Sequence, residues 1–100
     1  MAVPEILHVD PKTLRLPPSR ESGADAFKLA RQIGRYGSSV DGLPRVFAFR
    51  AADGELVVFD GVTRATRVAK LVPGYNIEIE VIGSYRGSAA YLPTIGDRLS

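Results

Sequence analysis

Apolar and acidic residues alternate between positions 77 and 81, and this alternation predicts the clearest strand in the chain, over residues 76–82. One face of this strand would carry the apolar residues Ile77, Ile79 and Val81. Glu78 and Glu80 would share the opposite face. Because the alternation alone accounts for both glutamates, we expect a solvated face there rather than a catalytic acid–base pair.

Three further apolar runs predict strands over residues 6–9, 45–51 and 56–59. Asp53-Gly54 lies between the last two runs, and glycine supplies the positive φ that a tight hairpin turn needs. Residues 13–16 predict a short extended piece, since Pro17-Pro18 then enforces polyproline-like geometry. The pattern therefore predicts a hairpin and two further strands.

Two segments have helical periodicity. The first runs from Ala24 or Asp25 to Tyr36 and stops at Gly37. Its predicted apolar stripe consists of Phe27, Leu29, Ala30 and Ile33, and its predicted outward residues are Lys28, Arg31, Gln32 and Arg35. The second helix follows Asp60-Gly61 and ends at Val72, before Pro73-Gly74. Its predicted core face consists of Val62, Ala65, Val68, Ala69 and Val72.

The turn before the second helix is the predicted site of anion binding. A strand that passes through Gly61 into a helix leaves unpaired backbone N–H groups, which favour a bound anion such as phosphate. Arg64 falls in the first turn, where a guanidinium group can make two hydrogen bonds to that anion. We expect Arg67 and Lys70 to face water. Arg67 is also a candidate phosphate-binding residue, through attraction of the anion from a distance that salt would screen.

The composition limits the number of domains and the kinds of site that the chain can have. One hundred residues with 45% apolar content predict one domain over residues 1–100, with its core at about 6–82 and an irregular tail at 83–100. No apolar run reaches 18 residues and no signal segment opens the chain, so we expect no membrane span and no independent export. Without cysteine and with a single histidine, His8, thiolate chemistry is excluded and we expect no metal site.

The order of the predicted elements, strand, helix, hairpin, helix and strand, resembles the ParB/sulfiredoxin superfamily over about residues 6–82. The residues that carry the resemblance are Arg20 in a polar loop, the helix that stops at Gly37, and the phrase Asp60-Gly61-Val62-Thr63-Arg64. The resemblance implies an α+β fold, a mixed sheet with two main helices packed on it. It also implies that Gly61, Thr63, Arg64 and Arg20 contact the phosphates of a nucleotide.

Two departures narrow what the resemblance implies. Sulfiredoxins carry a cysteine where this chain has Val62-Thr63, which excludes sulfinic-acid reduction. Chromosome-partition members carry two consecutive arginines after the glycine, whereas this chain has Thr63-Arg64, and we expect no partition function. Residues 60–71 and 91–97 are more similar to ParB-like domains at the C-terminal tips of polymorphic bacterial toxins. That similarity implies a cytoplasmic protein, or one secreted within a larger effector, with an immunity protein as a partner.

Three functions follow as hypotheses. The first is a nuclease or nucleotide-hydrolysing toxin domain in which Arg64 and the helix N-terminus stabilise phosphoryl charge, with Mg²⁺ arriving on a nucleotide triphosphate. Its candidate general bases are His8, Asp60, Glu78 and Glu80. The second is a module that binds a nucleotide or nucleic-acid backbone without catalysis. The third is an interaction domain in which the turn has lost its ligand.

Overall fold

The computed structural model describes residues 3–99, which form a mixed four-stranded sheet and two α-helices. The strands are β1 (Glu5–Val9), β2 (Val46–Arg50), β3 (Leu56–Asp60) and β4 (Ile77–Ser84). The helices are α1 (Ala26–Tyr36) and α2 (Val62–Leu71), and single 3₁₀ turns cover Pro11–Thr13, Pro18–Arg20 and Gly96–Arg98. The expected α+β class is confirmed, and the predicted element boundaries hold to within about two residues.

The strands lie in the order β1-β4-β2-β3. The β4 strand pairs with β1 antiparallel and with β2 parallel, and β2 and β3 form the predicted antiparallel hairpin. At its turn, the Ala51 amide donates to the Glu55 carbonyl at 2.8 Å. Beyond β3, the extended piece around Arg15 continues the sheet by a parallel bridge to Val57. This piece carries the chain along the free edge of the hairpin.

The main core lies between α2 and one face of the sheet. Ala65 and Val68 of α2 pack against Val46, Val58 and Ile79, all of which are essentially inaccessible to solvent. Leu14, Leu16 and Ile95 complete this cluster. The core therefore draws on residues beyond the 6–82 range that the sequence suggested, and α2 is its central helix.

Helix α1 forms an outer layer that packs on α2, and none of its residues is fully buried. Leu29 and Ile33 are half-buried, but Phe27 is 82% exposed and Ala30 is also exposed. The predicted stripe was wrong at these two positions. Phe27 lies two residues before Leu29, which is about 200° around a helix, so the stripe merged two different faces.

The segment after β4 is mostly irregular, as expected, and its residues 89–92 pack over the other face of the sheet, whereas Ile95 joins the main core. Ala89 and Leu92 are buried against Ala51 and Val57. Asp53 Oδ2 accepts hydrogen bonds from the Ala89 and Ala90 amides at 3.0 and 2.9 Å. Partial burial acts to raise the pKa of Asp53, but the amide hydrogen bonds outweigh it and hold the pKa below its ordinary value. The hairpin turn thereby fixes the path of the C-terminal segment.

Neither α1 nor α2 combines the length and the apolar character that crossing a membrane requires, and residues 3–99 contain no other α-helix.

Candidate functional site

The turn between β3 and α2 borders a cleft of about 350 Å³. Its other walls are the Pro18–Arg20 turn and Lys28 from the first turn of α1. Five of the six site residues predicted from the sequence line this cleft: Arg20, Asp60, Gly61, Thr63 and Arg64. Arg20 lies about forty positions earlier in the chain than the other four, so it is the fold that brings these residues together.

The backbone at the start of α2 has the features of an anion-binding turn. Gly61 is the N-cap in the left-handed conformation, with φ 111°, and no side chain caps the helix. The Ala65 amide makes the first intrahelical bond, donating to the Gly61 carbonyl at 2.9 Å. Within residues 3–99, the preceding amides of Val62, Thr63 and Arg64 have no acceptor. These three donors and the helix dipole favour negative charge at the turn.

The side chains around the cleft are mostly cationic. Arg20 and Lys28 are exposed, whereas Asp60 contributes a carboxylate that is 61% exposed. Asp25 adds a second negative charge nearby: the hydrogen bond from the Lys28 amide lowers its pKa, with smaller contributions from the charges of Lys28 and Arg20. With Arg64 included, three cations outnumber two carboxylates, and the cleft retains a positive balance.

Arg64 points toward the segment before β2 rather than fully into the cleft. Its Nη2 donates to the Arg45 carbonyl at 2.6 Å, and its Nε donates to the Pro44 carbonyl at 3.2 Å. The Asp60 carboxylate lies 3.5 Å from the same Nη2. With 19% of its side chain exposed, Arg64 is held by the backbone before β2. Only the part of its guanidinium group left outside these bonds remains for a ligand.

Arg67 is buried, and the expectation that it faces water was wrong. Its residue exposure is 2%, and its Nη1 donates to the carbonyls of Gly37 and Ser39, both at 2.8 Å. The physical reason is that α1 and the loop after it cover the side of α2 that faces away from the sheet. Arg67 does not line the cleft, so the structure gives no support to its predicted contribution to phosphate binding there. Lys70 is exposed, as expected.

Only one of the four candidate general bases lies at the cleft, and this is Asp60. His8 faces Glu78 across the β1–β4 pair, and both line a separate pocket. Glu78 and Glu80 both pair with Arg45, at 3.3 and 3.1 Å. Across residues 3–99, no three His, Asp or Glu side chains come together in a group that could hold a metal ion.

Two polar residues that line the cleft, Ser19 and Lys28, were not among the site residues predicted from the sequence. Lys28 belongs to a run of cations that the helical pattern assigned only to a solvated face. The capping of α1 by Asp25 could have indicated its position, since it fixes where the first turn of the helix begins. The packing of α1 beside α2 has no local sequence signal.

Compared with known proteins, the chain matches no family model, no curated protein and no solved structure.

The turn depends on glycine at position 61 for two reasons. Its φ is unfavourable for other residues, and a Cβ there would lie 2.9 Å from Val46 Cγ2 and 3.2 Å from the Arg64 guanidinium group. We expect Gly61→Ala to lower the free energy of unfolding by about 2–4 kcal/mol, as measured by urea denaturation. Gly74→Ala is the matched control, because Gly74 also has positive φ but open space around it, and should cost about 1–2 kcal/mol. Equal losses of unfolding free energy in the two variants would contradict a close contact between a Cβ at position 61 and Val46 or Arg64.

Proposed function

We propose that the cleft at the start of α2 binds the phosphate groups of a nucleotide or nucleic acid. The observation that carries this proposal is the convergence of the three unpaired amides of Val62, Thr63 and Arg64 with Arg20 and Lys28 around one cleft. Backbone amides bind phosphate oxygens without regard to the rest of the ligand, and flexible cations add attraction. The ParB-like resemblance of the sequence supports the same ligand class.

A second, adjoining groove supports a ligand that carries more than one phosphate. This groove of about 360 Å³ runs along α1 and shares Lys28 and Thr63 with the cleft. Arg31 and Arg35 line it, and α1 contains no acidic residue along its length. A chain of phosphates leaving the cleft would therefore stay within reach of cations.

Binding can be tested by removing the two exposed cations. We expect Arg20→Ala and Lys28→Ala each to weaken binding of a nucleoside triphosphate or a short single-stranded oligonucleotide by about three- to tenfold, or roughly 0.7–1.4 kcal/mol. The losses should shrink at high salt, since both side chains are exposed. Binding is measured by calorimetric titration of the folded variants.

Arg86→Ala is the matched control, because it removes one exposed cation from a position outside the cleft. Its binding should equal that of the unmodified protein. Equal weakening in all three variants would mean that a diffuse positive surface binds the ligand, and would contradict a site at the turn.

Hydrolysis of the bound ligand is the second candidate function, and the position of Asp60 favours it. This carboxylate lines the cleft beside the phosphate-binding amides, where it can accept a proton from an attacking water. Mg²⁺ would enter on the ligand's own phosphates, since Asp60 is the single carboxylate among the residues that line the cleft.

Measuring product formation distinguishes hydrolysis of the ligand from binding alone. The protein is incubated with nucleotides, DNA and RNA, with and without magnesium, and the products are quantified. If Asp60 is the base, Asp60→Asn should reduce turnover by about 10²-fold or more while affinity is retained. Turnover that survives this substitution would exclude Asp60 as the base, and no turnover on any substrate would leave the binding function alone.

The role as the toxin tip of an effector, with an immunity protein as partner, stays a prediction of the sequence resemblance.

A further inference from the structure

Phe59 is an exposed aromatic residue at the cleft before α2. Its residue exposure is 63%, and it lines the cleft together with Gly61 and Thr63. Contact between water and so large an apolar side chain is unfavourable. A single exposed apolar residue needs no explanation by itself, but this one lies where the fold also gathers unpaired amides and cations.

The Phe59 ring contacts the ring of Phe49 on the neighbouring strand β2. The two ring centres lie 5.3 Å apart and the ring planes meet at 70°, which is an edge-to-face contact. In such a contact, the ring that offers its edge keeps both faces free, and the ring that offers one face keeps the other face free. At least one face of Phe59 is therefore not used by Phe49.

The distance between Phe59 and the unpaired amides suits a ligand of the size of a nucleotide. Phe59 lies three positions before Val62, whose amide is the first of the three, and three residues span at most about 10–11 Å even when fully extended. The phosphate and the base of one nucleotide are separated by a comparable length. The cleft volume of about 350 Å³ also lies in the range of pockets that bind small organic ligands, about 300–1,000 Å³.

We propose that an unpaired nucleobase stacks on Phe59 while its phosphates contact the amides of Val62, Thr63 and Arg64. This inference rests on the proposed phosphate site and names its ligand class, a free nucleotide or a single-stranded nucleic acid. Aromatic side chains beside a cationic groove are the usual means of binding single strands, since every base has a face that can stack. The bases of a duplex are stacked on one another inside the helix and cannot reach Phe59, and a bare polyphosphate has no base.

Substitution of Phe59 tests the stacking contact. Phe59→Leu keeps an apolar side chain but removes the ring, and we expect it to weaken binding of a nucleoside triphosphate and of a single-stranded oligonucleotide by about five- to thirtyfold. Binding of inorganic tripolyphosphate, and of the same oligonucleotide annealed to its complement, should be unchanged. Phe59→Tyr keeps the ring and should restore the affinity. Calorimetric titration measures all four ligands, and the tighter of the two with an unpaired base identifies the preferred source.

Tyr91→Leu is the matched control, because Tyr91 is 71% exposed and lies outside the cleft. It should bind all four ligands as the unmodified protein does. If Phe59→Leu does not fold, the ring protons of Phe59 in the unmodified protein supply the measurement by nuclear magnetic resonance. A stacked base should shift these resonances upfield, and tripolyphosphate should not.

Three results would overturn the proposal: no loss in Phe59→Leu, an equal loss with tripolyphosphate, or ring protons that stay unshifted when the nucleotide is bound. Tripolyphosphate binding that Arg20→Ala weakens would still leave the proposed function standing, so the two failures are distinguishable.

Discussion

Two arginine side chains of α2 hold the connection between α1 and β2 by hydrogen bonds to four backbone carbonyls. Arg67 binds the carbonyls of Gly37 and Ser39, and Arg64 binds those of Pro44 and Arg45. Hydrogen bonds from a charged donor contribute about 1.5–3 kcal/mol each. Because α1 has no fully buried residue, its attachment depends on these bonds and on the half-buried Leu29 and Ile33.

The same hydrogen bonds give Arg64 a different role at the cleft from that of the exposed cations Arg20 and Lys28. Arg64 is restrained by its carbonyl bonds, so it shapes the turn and supplies positive charge more than it follows a ligand. In the proposed site, Arg20 and Lys28, which are exposed, would supply the adaptable contacts, and the amides at the start of α2 would supply the fixed ones. Fixed backbone donors with exposed cations beside them would suit phosphate ligands that differ in their remaining parts.

Local patterns predicted most of the fold. The alternation at Ile77–Val81, the Asp53-Gly54 turn and the glycine stop at Gly37 each depend on neighbouring residues, and each was confirmed. The turn at Gly61 was likewise visible, because a strand, a glycine and a helix follow one another directly. Such features can be predicted from local sequence, because they depend only on the spacing of apolar side chains along a strand or helix and on the φ that single residues can adopt.

The errors came from packing between distant segments. A helical wheel places Arg67 opposite the core, and it cannot show that α1 and the loop after it cover that side. Phe27 was assigned to a buried stripe, because apolar residues on two faces of α1 were read as one face. Lys28 reaches the cleft only because α1 lies beside α2. Such contacts depend on tertiary arrangement rather than on local sequence.

Amide chemical shifts report directly on whether the backbone amides at the start of α2 bind phosphate, as proposed. ¹⁵N-labelled protein is titrated with inorganic phosphate and then with a nucleoside triphosphate. If phosphate binds at this turn, the amides of Val62, Thr63 and Arg64 should shift most and saturate together, whereas the Ala65 amide, already bonded to Gly61, should shift less. Small shifts spread over the amides of exposed cationic residues, with none concentrated at these three residues, would show that phosphate does not bind at the start of α2.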